Sequence, residues 1–98
     1  MTYAVRYTRH ARADLKRLYE FLLSKDLDAA ERALQAIRTS LKILEEFPFS
    51  CRKATPDNPL LRELLITFGS SGYVALFEIE SEHVTILAVR HQLEEDYF

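Results

Sequence analysis

Hydrophobic and polar positions change their period twice along the chain. Tyr3, Val5 and Tyr7 alternate with Ala4 and Arg6, the period-two signature of a short strand with one buried face. From Thr8 or Arg9 the spacing lengthens to threes and fours. Ala11, Leu15, Leu18 and Leu22 make one stripe, with Arg12, Lys16, Arg17 and Glu20 on other faces, as in an amphipathic helix. Lys25-Asp26-Leu27-Asp28 interrupts it. Asp28, with Glu31 three residues later, fits a variant capping box that starts a second helix. Leu34, Ile37, Leu41 and Leu44 form its stripe, widened by Ala30, Ala33 and Ile43, and Pro48 stops it. Two amphipathic helices joined so tightly form an antiparallel hairpin.

Residues 48–59 hold all three prolines with Ser50, Thr55, Asp57 and Asn58, which is loop chemistry. Strand-like runs come next at residues 60–67, 73–80 and 84–90. The first two are separated by a turn at 68–72 that contains both glycines, and the last two by Ser81-Glu82-His83. Three strands with short connectors form an antiparallel meander, and the helix hairpin must cover its apolar face. The expected fold is α+β in the order β-α-α-β-β-β, one domain over residues 1–98, with the first strand joining an edge of the sheet.

Composition narrows the function classes. Hydrophobic residues at 48% and charged residues at 29% describe a globular chain. Residues 1–15 lack the unbroken apolar core of a secretory signal, and no apolar run approaches the ~20 residues of a membrane span, so the cytoplasm is the expected compartment. A single cysteine, Cys51, excludes an internal disulfide. The net charge of −2 hides an asymmetry: residues 1–53 hold 11 Lys+Arg against 7 Asp+Glu, and residues 54–98 hold 2 against 8. A backbone-gripping nucleic-acid binder needs a stronger cationic excess. Gly69 and Gly72 fall in one turn, which rules out a glycine-rich phosphate loop, and His10, His83 and His91 have no metal-ligand spacing. Neither cofactor nor metal is expected.

Candidate chemistry gathers in the tail, Arg90-His91-Gln92-Leu93-Glu94-Glu95-Asp96-Tyr97-Phe98. A guanidinium, an imidazole and a phenol are the parts a metal-free ribonuclease uses: a cation for the phosphorane, a base for the 2′-hydroxyl and an acid for the leaving oxygen. Glu94, Glu95 and Asp96 would repel an incoming phosphate, and a tail His and Tyr also serve packing alone.

Asp14-Leu15, Leu44-Glu45-Glu46-Phe47-Pro48, Leu61-Arg62-Glu63-Leu64, Gly72-Tyr73-Val74-Ala75-Leu76-Phe77 and Ile86-Leu87-Ala88-Val89-Arg90-His91-Gln92 together resemble the RelE/ParE toxins of type II toxin–antitoxin systems. The fragments are collinear over nearly the whole chain. The resemblance implies a helical hairpin on a twisted antiparallel sheet, a cognate antitoxin bound in a hetero-oligomer, and growth arrest by free toxin. ParE-like members inhibit DNA gyrase by binding, whereas RelE-like members cleave messenger RNA on the ribosome. A nuclease would use Arg62, His91 and Tyr97. A gyrase-directed binder would present Arg62, Arg90, His91, Tyr97 and Phe98. Many relatives read His-Gln-Arg where this chain has His91-Gln92-Leu93, and residues 54–98 contain no lysine, which turns the resemblance toward the ParE branch. Apolar surface near Phe21, Leu23, Phe47 and Phe49 is hard to cover within a small domain and is the expected antitoxin seat.

Overall fold

The computed structural model describes residues 2–94. Its elements run β1 (Ala4–Tyr7), α1 (Arg9–Leu23), α2 (Leu27–Leu41), two short 3₁₀ turns (Lys42–Glu45 and Pro48–Ser50), β2 (Arg52–Thr55), β3 (Asn58–Phe68), β4 (Ser71–Ile79) and β5 (His83–His91). The five strands form one sheet in the order β1-β5-β4-β3-β2. Both helices pack on one face, where Leu18, Ile37, Leu41 and Leu44 meet Ile66, Tyr73, Phe77, Ile86 and Val89 in a single core. Among the described residues no helix is long and apolar enough to cross a membrane.

The expected element order holds, with four refinements. β1 joins the sheet edge beside β5, as expected, but runs parallel to it, so the sheet is mixed. A third of the proline-rich segment is a separate strand: β2 pairs with β3 through Lys53↔Arg62 and Thr55↔Asn58 around a Pro56-Asp57 turn. Proline is tolerated there because β2 is an edge strand and Pro59 lies next to the start of β3. The α2 cap is Asp26, whose carboxylate accepts the Asp28 N–H at 3.0 Å, not the Asp28/Glu31 box. Asp28 lies in the first turn, where the helix dipole favours an anion, and pairs with Arg32 at 2.9 Å. Finally, α2 ends at Leu41, and the 3₁₀ turn carries Leu44 into the core ahead of Pro48.

One irregularity decides which way the end of β5 faces. The β4–β5 register passes from Leu76↔Ala88 to Phe77↔Ile86, leaving Leu87 as an extra residue in β5. Such a bulge reverses the in/out phase of the strand beyond it. Val84 and Ile86 face the helices before it, and Val89 faces them after it. Helix α1 takes up the disrupted backbone. Thr8 accepts the Ala11 N–H as helix cap and donates to the Leu87 carbonyl at 3.1 Å. The buried Asp14 carboxylate accepts the Val89 N–H at 2.9 Å.

Candidate functional site

The bulge turns His91 toward α1, in register with Tyr73 on β4. Its Nδ1 accepts the Leu93 N–H at 3.1 Å, and its Nε2 lies 3.0 Å from the Ser71 hydroxyl. With Nδ1 accepting, the neutral ring carries its proton on Nε2 and donates to Ser71. The imidazole meets the Tyr73 ring edge-on at 5.5 Å. Burial pushes the Tyr73 phenol up from its ordinary value, so Tyr73 does not supply a ready anion beside it.

A tight turn comes next. Arg90 projects from the opposite face, level with Val74, and its Nη1 donates to the carbonyls of Glu94 at 2.7 Å and of His91 and Gln92 at 3.3 Å. The Glu94 carboxylate accepts both terminal nitrogens of Arg17, at 3.1 and 3.5 Å, and the His91 N–H. Arg17 and His10 also flank Asp14, at 3.7 and 3.4 Å. The tail turn is therefore strapped to α1 by charge. Beneath the strap opens a groove of about 690 Å³ between α1 and the β3–β4 turn, walled by Leu18, Phe21, Leu22, Phe68 and Tyr73.

Arg62 lies elsewhere. It is level with Phe77 on β4, so four residues of strand rise and two interstrand spacings put its backbone roughly 16 Å from that of His91. Its Nε donates to the Pro59 carbonyl at 2.6 Å, its Nη1 to those of Cys51 and Phe49 at 2.8 and 3.3 Å, and it lies 5.4 Å from the Phe49 ring. The guanidinium anchors the loop that precedes β2. Arg62→Ala is expected to cost about 1–3 kcal/mol through these unmet carbonyls and to expose residues 48–55 to protease. Urea denaturation checks it, and an unchanged midpoint removes the anchoring role. Burial raises the neighbouring Cys51 thiol, which makes it a poor nucleophile. Among the described residues no cluster of three His, Cys, Asp or Glu side chains is placed to hold a metal ion.

A family model described as the ParE toxin of type II toxin-antitoxin system, parDE, matches residues 5–96. The chain belongs to the ParE toxin family. It is similar to two toxins of Caulobacter vibrioides. Toxin RelE3 is 33% identical over 84 residues, covering 86% of this chain and 88% of that protein. Toxin RelE1 is 32% identical over 95 residues, covering 97% and 99%. A solved structure of the chromosomal ParDE toxin–antitoxin system of P. aeruginosa shares the fold, with a TM-score of 0.75 and 22% identity over 92% of this chain and 96% of that one.

The toxin does not gather its sequence-predicted site residues in one place. Arg62 and Arg90 stand on opposite faces of the sheet, level with Phe77 and Val74 respectively, so they cannot form the shared contact face expected of them. Tyr97 and Phe98 lie outside the described residues. Phe21, Leu23, Phe47 and Phe49 are all exposed, as expected, but form two patches and not one. Phe21 and Leu23 lie near the hairpin turn, and Phe47 and Phe49 come after the far end of α2, roughly 22 Å away along a 15-residue helix. Sequence reasoning missed Asp14 and Arg17 as site residues. A signal was there: Asp14 occupies the apolar stripe, three residues after Ala11 and four before Leu18.

Proposed function

We propose that this toxin acts by binding DNA gyrase and stalling it on DNA, with no covalent chemistry of its own, and that a cognate antitoxin neutralises it in a cytoplasmic hetero-oligomer. The observation that carries this is the engagement of Arg62 and His91, two of the three groups a nuclease would use. The accepting nitrogen of His91 is taken by the Leu93 N–H, so it has no free lone pair for a ribose hydroxyl. The Arg62 Nε and Nη1 are held by the carbonyls of Pro59, Phe49 and Cys51 on a distant part of the sheet. Cleavage by these residues would require both to be rebuilt, whereas binding requires neither. With Arg62 and Arg90 split, the proposed target contacts fall to His91 at the end of β5 and, in sequence after it, Tyr97 and Phe98. The two exposed phenylalanine patches are proposed for the antitoxin: an extended partner spanning the hairpin would cover both.

The purified toxin is expected to inhibit a gyrase supercoiling reaction in a dose-dependent way. Unchanged supercoiling at a large molar excess would sink the proposal. A ribosome-bound message incubated in parallel should stay intact. Cleavage lost on His91→Ala or Tyr97→Phe would favour the messenger-RNA endonuclease in its place.

A further inference from the structure

The face of the sheet turned away from the helices carries an unexpected burial. Tyr73, Ala75 and Phe77 face the helices, so Val74 and Leu76 face the other way, as do Leu65 on β3 and Ala88 and Arg90 on β5 beyond the bulge. Leu65, Val74 and Arg90 form one row across three strands, and Leu76 and Ala88 lie side by side in the next. Both helices pack on the opposite face. A side chain on an open sheet face keeps part of its surface in water. Leu65 does so, at 50% exposed. Val74 is only 2% exposed and Ala88 is fully buried, as closed to water as Ile66 and Val84 in the core, although neither packs with the cluster beneath the helices.

We infer that the segment after Glu94 folds back over this face, and that Tyr97 and Phe98 cover Val74, Leu76 and Ala88. The tail turn sets the direction. The Glu94 carbonyl, from which Glu95 continues, accepts Arg90 Nη1 at 2.7 Å, and Arg90 belongs to the outer row. Glu95, Asp96, Tyr97 and Phe98 together reach at most about 14 Å. Val74 lies one strand across from Arg90 and Ala88 two residues back along β5, about 5 and 7 Å away, so both aromatic rings come within range. Charge fits the same path. Glu95 and Asp96 set out beside the Arg90 guanidinium, and the aromatic pair follows over apolar surface. The groove beneath the Arg17–Glu94 strap is the rival seat, but Phe21 on its wall is 60% exposed, which marks that wall as uncovered. The docking holds whichever target the toxin has. It also ties two surfaces together: a target that takes Tyr97 and Phe98 uncovers Val74, Leu76 and Ala88 as it does so.

The chain has no tryptophan, so Phe98→Trp supplies a single fluorescent reporter in the otherwise intact toxin. Relative to the same chain unfolded in urea, its emission is expected to be blue-shifted and its quenching by acrylamide several-fold weaker. Neither should depend on protein concentration. Leu65→Asp, at the half-exposed end of the row, should shift the emission to the red and restore most of the quenching. Phe21→Ser, in the groove, should change neither. A reporter that is open to water in the folded chain overturns the inference. So does release by Phe21→Ser in place of Leu65→Asp, which gives the segment to the groove. Protection lost on dilution overturns it too, because the cover is then a second copy. If Leu65→Asp does not fold by circular dichroism, Tyr97→Ser/Phe98→Ser is read by methyl NMR instead. The Leu65 and Val74 methyls should shift once those rings are gone, with Ile86 in the core unmoved. Val74 methyls that stay in place overturn the docking.

Discussion

Asp14→Ala is expected to destabilise the toxin by about 3 kcal/mol, lowering Tm by roughly 12–24 °C for a domain of this size. The carboxylate is almost wholly buried and accepts the N–H of Val89, which is itself fully buried. Alanine leaves that donor with neither partner nor water, and also removes the anion between His10 and Arg17. A small domain with roughly 5–15 kcal/mol in total cannot absorb many such losses. Asp14→Asn keeps an acceptor for the Val89 N–H and should cost about 1 kcal/mol. Thermal unfolding of the two variants separates the contributions. If Asn proves as damaging as Ala, the charge rather than the hydrogen bond is what matters at this position.

The second large effect is expected at Gly72. A Cβ there would lie 2.0 Å from the Ile66 carbonyl oxygen and 3.1 Å from the Gln92 side-chain nitrogen. The first is backbone of the neighbouring strand and cannot swing away, so β3 would have to shift just where Ile66 and Tyr73 enter the core. Gly72→Ala is expected to cost on the order of 3 kcal/mol, as overpacking does at its upper end. It also disturbs the tail turn, because the Gly72 carbonyl accepts the Gln92 N–H at 2.8 Å. Gly69→Ala is the matched control. Gly69 has φ of +63° but open space around it, so only the left-handed backbone is strained, for about 1–2 kcal/mol. Equal urea midpoints for the two variants would show that close approach at Gly72 has been misjudged.

The two glycines illustrate what a sequence can and cannot display. Both read as turn residues, but Gly69 bends the chain while Gly72 lies inside β4 and is needed for strand approach. Periodicity exposed the helices and the meander because each buries one face on a regular spacing. It could not reveal β2, a four-residue edge strand whose flanking prolines carry a stronger loop signal than its own Arg52, Lys53 and Thr55 carry for a strand. Nor could it give the direction of β1, which depends on where the chain ends meet. The candidate site was harder to read. His91 was visible as chemistry, but its orientation depends on a bulge at Leu87 within a run of apolar residues that shows no break in pattern. The engagement of Arg62 with three carbonyls is tertiary, and the residue type alone announces only a cation.

The parallel pairing of β1 with β5 has a consequence in time. Its register joins Ala4 to His83 and Tyr7 to Ile86, and the Thr8–Leu87 hydrogen bond beside it spans 79 residues. At synthesis rates of about 5–20 residues per second, the first strand waits roughly 4–16 s for its neighbour to emerge. The strand edge, the Thr8–Leu87 bond and the Asp14 anchor all depend on that late arrival. A translating ribosome thus holds the sheet incomplete until β5 has emerged, and a partner already present meets a chain whose first strand still lacks its neighbour.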